Sequence, residues 1–394
     1  MNKLRNLLAI AFVAVTVAAY AGDCAALSGR YIIGKGENAD FSSFNDAVNA
    51  LKCGGVAGPV IFAVESGNYN EKLLITSIPG ASAMNTVSFQ ATADAVLTYA
   101  TADATVILNN VSYVSFENIT IDHKTSTYGN ALRVDGRTTN IRFKGVVFNG
   151  VEVARPGANN ATVYFTSTSP KSDIAFEDCE VNNGSVGIYK NGMSADAMDA
   201  KTSISGTLFF NQFEAGLVLS NEDAPVINSN VVSSVSTYKD FKAITLDNVA
   251  DNVLISNNIV NAATGSVGLV MNNCIAQREG LGQINNNSIA VGGSSDVYGI
   301  LLTGTTDNQV INFNRVKLTL PGGVQASDQA YYKNAGSGYN VNMMNNIFYD
   351  LNTGGYTILG NTYKDAFNQL PAQSNPSLTV SANGLMIEKV TPIK

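Results

Sequence analysis

A parallel β-solenoid of roughly ten coils is the fold class this chain predicts, and three observations carry it. Short apolar segments recur with a drifting period near 28 residues, a second alternating segment lies between them, and no repeat holds a ten-residue amphipathic stretch fit for a crossover helix. Only 14% of residues are charged, while Asn, Gly, Ser and Thr abound. Such a composition disfavours helices and suits short strands joined by turns.

At the N-terminus, Lys3 and Arg5 precede an apolar run from Leu7 to Ala19, and Ala19-Tyr20-Ala21 has the small-x-small form of a cleavage site. Residues 1–21 are therefore expected to be a secretory signal peptide, and 22–394 one domain that is secreted, displayed at the cell surface or kept in a periplasm. The apolar run is short for a membrane span, and no later segment approaches eighteen uninterrupted apolar residues. Cys24 follows Asp23, where a lipid-attachment site wants a small residue, so lipid anchoring is disfavoured. Removing Lys3 and Arg5 leaves 22 basic residues against 31 acidic ones, a net charge of −9. That balance argues against a nucleic-acid partner, which needs clustered Lys and Arg.

Residues 40–53 are expected to form a helix with Asp40 as N-cap; Phe41, Phe44, Ala47, Val48 and Leu51 share one face and Gly54 ends the run. Laid over the open end of a solenoid, such a helix blocks edge-to-edge association.

The repeat itself begins at Phe116 ("FENITI") and returns at Phe143, Phe176, Ile204, Ile227, Ile255, Ile284, Ile311 and Met343, with spacings of 27, 33, 28, 23, 28, 29, 27 and 32 residues. Stacked coils place these anchors in one inward column, and the unequal spacings become loops. Coils about 4.8 Å apart give a rod on the order of 50 Å long. At the fourth place of the later segments stand Asn230, Asn258, Asn287, Asn314 and Asn346, with Asn361 in "ILGNTY" as a sixth. Asn tolerates the left-handed conformation of a sharp turn, and its amide both donates and accepts, so a corner ladder is expected rather than a ligand site.

Stacked apolar columns, a corner Asn ladder and irregular coil length resemble the right-handed parallel β-helix of the pectate lyase-like superfamily. The stretch "FSSFNDAVNALKCGGVAGPVIFAVESGNYNEKLLI", with Gly67, Tyr69 and Glu71 in a GxYxE turn, resembles the opening of pectin methylesterase-like secreted proteins. The resemblance implies a right-handed helix and, among enzymes of that scaffold, action on polysaccharides. Lyases there use Ca²⁺-binding carboxylates with a basic residue, hydrolases a set of Asp residues, and esterases two Asp with an Arg.

Four cysteines follow the leader. Cys24 and Cys53 are a plausible pair in an exported protein, whereas Cys179 and Cys274 lie about three coils, or roughly 14 Å, apart and are expected to stay reduced and buried.

Catalytic residues do not carry over from the resemblance. The outward positions of the second segment read Arg133, Tyr189, Val218, Thr245, Val270 and Leu301, then Asp135, Asn191, Ser220, Asp247, Asn272 and Thr303. No carboxylate stacks on a carboxylate there, and neither the hydrolase "NTD" and "DD" nor the esterase "GxxDF" is present. The remaining candidates are Asp122, His123, Lys124, Arg133 and Asp135, an acid-base cluster with cationic groups for uronate carboxylates, set against the plainer reading of a solvated charged face. No cofactor is required, although Ca²⁺ would belong to a lyase. Tyr164, Tyr189, Tyr298, Tyr331 and Tyr332 could offer sugar platforms in a chain without Trp, "YYKNAGSGY" most of all. The function expected is a non-catalytic scaffold binding polysaccharide or a cell-surface protein, with a polysaccharide lyase, hydrolase or esterase as the alternative.

Overall fold

The computed structural model describes residues 24–319 apart from 101–102, 125–127, 263, 265–266, 278 and 294–295. It further describes 329–333, 341–344, 346–349, 357–359, 363–371, 379–381 and 386–393, with side chains in this part only at 341–343 and 346. The expected leader, Asn361 and most of "YYKNAGSGY" lie outside the described residues.

Within them each coil from Thr139 to Thr303 contributes three short strands, while Val87–Tyr99 and Ser112–His123 each run through two of the sheets as one strand. Strands such as Thr139–Lys144, Ser172–Glu177 and Leu254–Ser256 pair in parallel into a first sheet. A second sheet holds Val147–Asn149, Glu180–Asn182 and Val231–Ser233. Asn130–Asp135, Val163–Phe165, Val186–Asn191, Ala215–Asp223 and Lys242–Ala250 belong to a third. The result is an all-β parallel solenoid of about ten turns.

The anchor residues align in direct register. Phe62, Phe89, Phe116, Phe143, Phe176, Ile204, Ile227, Ile255, Ile284, Ile311 and Met343 are successive partners across the first sheet. Phe89 and Phe116 stack with centroids 5.2 Å apart, and Phe143 and Phe176 at 4.9 Å. Side chains in neighbouring coils meet at the strand spacing, so identical rings stack face to face while each buries its full area, worth roughly 3 kcal/mol per ring.

The ladder forms as expected. The Nδ2 of Asn258 donates to Asn287 Oδ1 at 2.9 Å and to the Ile227 carbonyl at 2.9 Å, and the same pattern joins Asn230, Asn287, Asn314 and Asn346. Its geometry corrects one expectation. The left-handed residue is the one before the ladder: Ser229, Asn257, Asn286 and Phe313 have φ of 58°, 58°, 55° and 57°. The ladder amides point inward and are buried, so they are selected for hydrogen bonding rather than for backbone freedom. In earlier coils the same place is taken by Ile119, Val146, Cys179 and Thr207, one residue after Asn118, Gly145, Asp178 and Gly206, all with positive φ.

The cap helix spans Phe44–Gly54, shorter than the expected 40–53 at its start. Ser43 is the N-cap, its side chain accepting from the Asp46 N–H, and Gly55 rather than Gly54 closes the helix at φ 67°. Asp40 instead accepts from the Ile32 N–H at 2.7 Å while Phe41 bridges to Ile33, which keeps both residues in extended chain. The buried face of Phe44, Ala47, Val48 and Leu51 is as expected. Glu71 of the GxYxE turn receives the N–H groups of Phe44 and Asn45, both at 2.9 Å, so a carboxylate sits at the positive end of the helix dipole and ties the cap to the first coil. Cys24 and Cys53 form a disulfide with Cα atoms 5.6 Å apart; Cys179 and Cys274 are free and buried. Among the described residues no helix is long and apolar enough to cross a membrane.

Candidate functional site

The outer face of the third sheet carries a run of polar and aromatic side chains. Its outward column runs Ile107, Arg133, Tyr164, Tyr189, Val218, Thr245, Val270 and Leu301. Tyr164 therefore stands between Arg133 and Tyr189, so these two are not neighbours as the column in the sequence implies. The rings of Tyr164 and Tyr189 stack with centroids 5.8 Å apart and planes at 20°. Burial, then the Tyr164 phenol beside it, holds the Tyr189 phenol above its ordinary range.

Arg133 is fixed by two carboxylates. Its Nε donates to Asp135 Oδ2 at 2.9 Å and its Nη1 pairs with Asp103, whose other oxygen takes Lys72 Nζ at 2.5 Å. Asp135 Oδ1 is buried and has no hydrogen-bond partner within the protein. A hollow of about 570 Å³ opens beside it, lined by Asn109, Asn110, Arg133, Asp135 and Tyr164 with Thr166, Thr168 and Ser169. A second, of about 230 Å³, shares Arg133 and Tyr164 with it and reaches Asp103 and Tyr128. A third, of about 280 Å³, continues past Tyr189 to Val218, Asp240, Lys242 and Thr245. Glu214 holds the rim by accepting from the Gly157 N–H at 2.7 Å and from Ser185 Oγ at 3.0 Å. From Arg133 to Thr245 the column crosses four coil steps, roughly 19 Å.

Of the five candidate residues, Arg133 and Asp135 come together here. Asp122 and Lys124 do not join them: Asp122 lies in the second sheet beside Thr98 and Asn149, and pairs with Lys124 at 2.8 Å. His123 is 4% exposed and sits at the end of that strand, its Nδ1 3.1 Å from Thr105 Oγ1. Burial is the main cause that lowers its pKa, favouring a neutral ring packed in the wall. Asp103, which the sequence did not single out, is the second carboxylate at Arg133. It lies outside the repeating segments, so periodicity gave no sign of it.

Two carboxylate contacts also escaped the column reading. Asp223 meets Asp251 at a corner of neighbouring coils; burial first, and then the Asp251 carboxyl, raise its pKa. Asp199 and Glu222 pair across the next coil inside the tube. Among the described residues no three of His, Cys, Asp and Glu gather as metal ligands.

No protein-family model matches the chain. No curated protein sequence matches it. Solved structures do match in fold. A lacto-N-biosidase of glycoside hydrolase family 136 from Eubacterium ramulus superposes with a TM-score of 0.55 at 8% identity, covering 92% of this chain and 67% of that one. Its selenomethionine form gives 0.54 at 10% identity, covering 92% and 68%. Pectate lyase Pel9A gives 0.45 at 12% identity, covering 94% and 80%. The chain thus shares a parallel β-helix fold with these structures, and at these identities the likeness concerns the fold alone.

Proposed function

We propose that this is an exported, glycan-binding β-helix protein that holds carbohydrate along the third-sheet groove without turning it over. The observation that carries the reading is the run of Arg133, Tyr164 and Tyr189 on three consecutive coils, flanked by connected hollows. Stacked phenols offer flat apolar faces to sugar rings, Asn109 and Asn110 supply amides, and the unpartnered Asp135 oxygen accepts from a hydroxyl. The guanidinium held between Asp103 and Asp135 leaves both carboxylates engaged as acceptors, which favours positioning over proton transfer. Export rests on the leader pattern at 1–21 and agrees with a Cys24–Cys53 disulfide. Binding is proposed to need no cofactor. The partner is a polysaccharide, free or displayed on a cell-surface protein.

A catalytic reading has one observation in its favour, the Asp223–Asp251 carboxyl pair with its raised Asp223 pKa, since a pair of carboxyls supplies the acid and the base of glycan cleavage. Both readings are tested by presenting the protein to immobilised polyuronates and neutral polysaccharides, with and without Ca²⁺, while reducing ends, ester release and unsaturated products are followed. Retention lost in Tyr164→Ala and Tyr189→Ala, with no turnover, is the expected result. Turnover abolished by Asp223→Asn would replace binding with hydrolysis, and retention unchanged in both Tyr variants would remove the groove from the account.

A further inference from the structure

From Val134 to Leu302 the inward column of the third sheet is apolar, except at Lys190. Val134, Phe165, Leu219 and Leu246 are its neighbours in successive coils, and between Phe165 and Leu219 stands Lys190. Its side chain has 0% exposure, as do those of Asp199 and Glu222, which both contact its Nζ. Asp199 Oδ2 lies 2.5 Å from Nζ, Glu222 Oε1 is the second contact, and the Phe165 ring centroid is 5.6 Å away. Every remaining oxygen is fixed. The Lys171 backbone N–H donates to Asp199 Oδ1 at 2.7 Å, and Thr202 Oγ1 donates to Glu222 Oε2 at 2.8 Å. The Lys171 ammonium is turned away to the carbonyls of Thr166 and Ser169.

An amine, a carboxyl electrophile and a second carboxyl are thus immobilised together in a dry apolar wall. Three charged groups at zero exposure carry a large desolvation cost, which a covalent bond between two of them would remove. Fixed proximity replaces a bimolecular encounter with effective molarities of about 10⁵ M or more, and the absence of water favours condensation over hydrolysis. Burial also pushes the Glu222 carboxyl up, as a proton carrier in this wall requires.

We propose that Lys190 and Asp199 join through a self-formed amide inside the tube, with Glu222 relaying the protons. Glu222 takes a proton from the ammonium, and the freed Nζ forms a bond to Cγ of Asp199. The Lys171 N–H holds the negative charge that develops on Oδ1. The Cγ–Oδ2 bond breaks, one of the three ammonium protons stays on the amide nitrogen, and two leave with Oδ2 as water. Glu222 ends as it began, and no other reactant is consumed. The bond closes the chain between residues 190 and 199, pinning the loop that carries the Ser194–Ala197 bridge to the wall.

Peptide mapping of the purified protein tests this. Trypsin cuts after Lys171 and Lys201, with Lys190 the one basic residue between. The expected product is a single 172–201 peptide, uncut at Lys190, lighter by one water, with fragment ions placing the loss at Lys190 and Asp199. In Glu222→Gln, and in Lys190→Arg, that water should be retained and cleavage after residue 190 restored. Wild-type peptides 172–190 and 191–201 at full mass would overturn the proposal in favour of a plain buried ion cluster. A lost water with cleavage after Lys190 intact would also overturn it, since an aspartyl succinimide would then explain the mass. Where Glu222→Gln fails to fold, the wild-type fragment ions decide alone.

Discussion

Replacing Asn258 by Ala removes four hydrogen bonds from the middle of the ladder. Its Nδ2 donates to Asn287 Oδ1 and the Ile227 carbonyl, each at 2.9 Å, while its Oδ1 accepts from the backbone N–H and the Nδ2 of Asn230, each at 3.0 Å. Two of these partners keep another contact: Asn287 Oδ1 still takes the Asn258 N–H, and Asn230 Nδ2 still reaches the Ile204 carbonyl. The Asn230 N–H loses its partner, while the Ile227 carbonyl, inside the strand paired with Leu254–Ser256, keeps its place in the backbone ladder. One orphaned buried group costs about 1–3 kcal/mol, so the loss should be at least about 1–3 kcal/mol. Asn257→Gly is the control, because Asn257 is exposed, holds φ 58° and suits glycine, and should change stability by less than about 1 kcal/mol. Solenoids need not unfold in one step, so the urea midpoint should be read together with hydrogen exchange at the Asn230 amide. A loss in Asn258→Ala no larger than in Asn257→Gly, with the Asn230 amide equally protected, would refute the reasoning.

Three further outcomes follow from the same structure. Burial pushes the thiols of Cys179 and Cys274 up to about 12, so a thiol reagent at pH 8 should find neither in the folded protein and both in denaturant. A measurable native reaction would contradict their burial. Breaking Cys24–Cys53, which spans 29 residues, should cost about 3.5 kcal/mol by loop entropy, read as a lower midpoint in Cys24→Ser/Cys53→Ser; an unchanged midpoint would mean the cap holds without it. Because the raised Asp223 pKa favours its acid form in the folded chain, stability from this group is full below the ordinary carboxylate pKa and is lost as pH rises through the raised value. Asp223→Asn should therefore be more stable than wild type at pH 7, with the advantage fading toward acid; a variant no more stable at pH 7 would refute the pairing.

The inward architecture was legible because stacking forces chemical likeness at fixed intervals. Phe116, Phe143 and Phe176, or Asn258, Asn287 and Asn314, announce their columns, and the reduced state of Cys179 and Cys274 follows from the coil count. Where loops intervene, that likeness fails. Tyr164 escaped its column because its three-residue strand follows the insertion at 151–162 and lacks the small residue and polar stop of its neighbours. Asp40 and Ser43 are both competent caps three residues apart, and only the Phe41–Ile33 bridge selects the second. Lys190 was within reach. With Tyr189 and Asn191 read as outward, alternation already required the lysine between them to face the core. The site was less legible than the fold, since Asp122, His123 and Lys124 are adjacent in sequence to nothing they would have to meet, and strand direction carries them to another sheet.

The measurement closest to the central claim is a crystal structure of the protein with an oligosaccharide retained in the glycan screen. Sugar rings are expected along the third sheet, stacked on Tyr164 and Tyr189, with a hydroxyl on Asp135 Oδ1. An oligosaccharide bound on the first or second sheet, with the Arg133 to Thr245 groove empty, would contradict it.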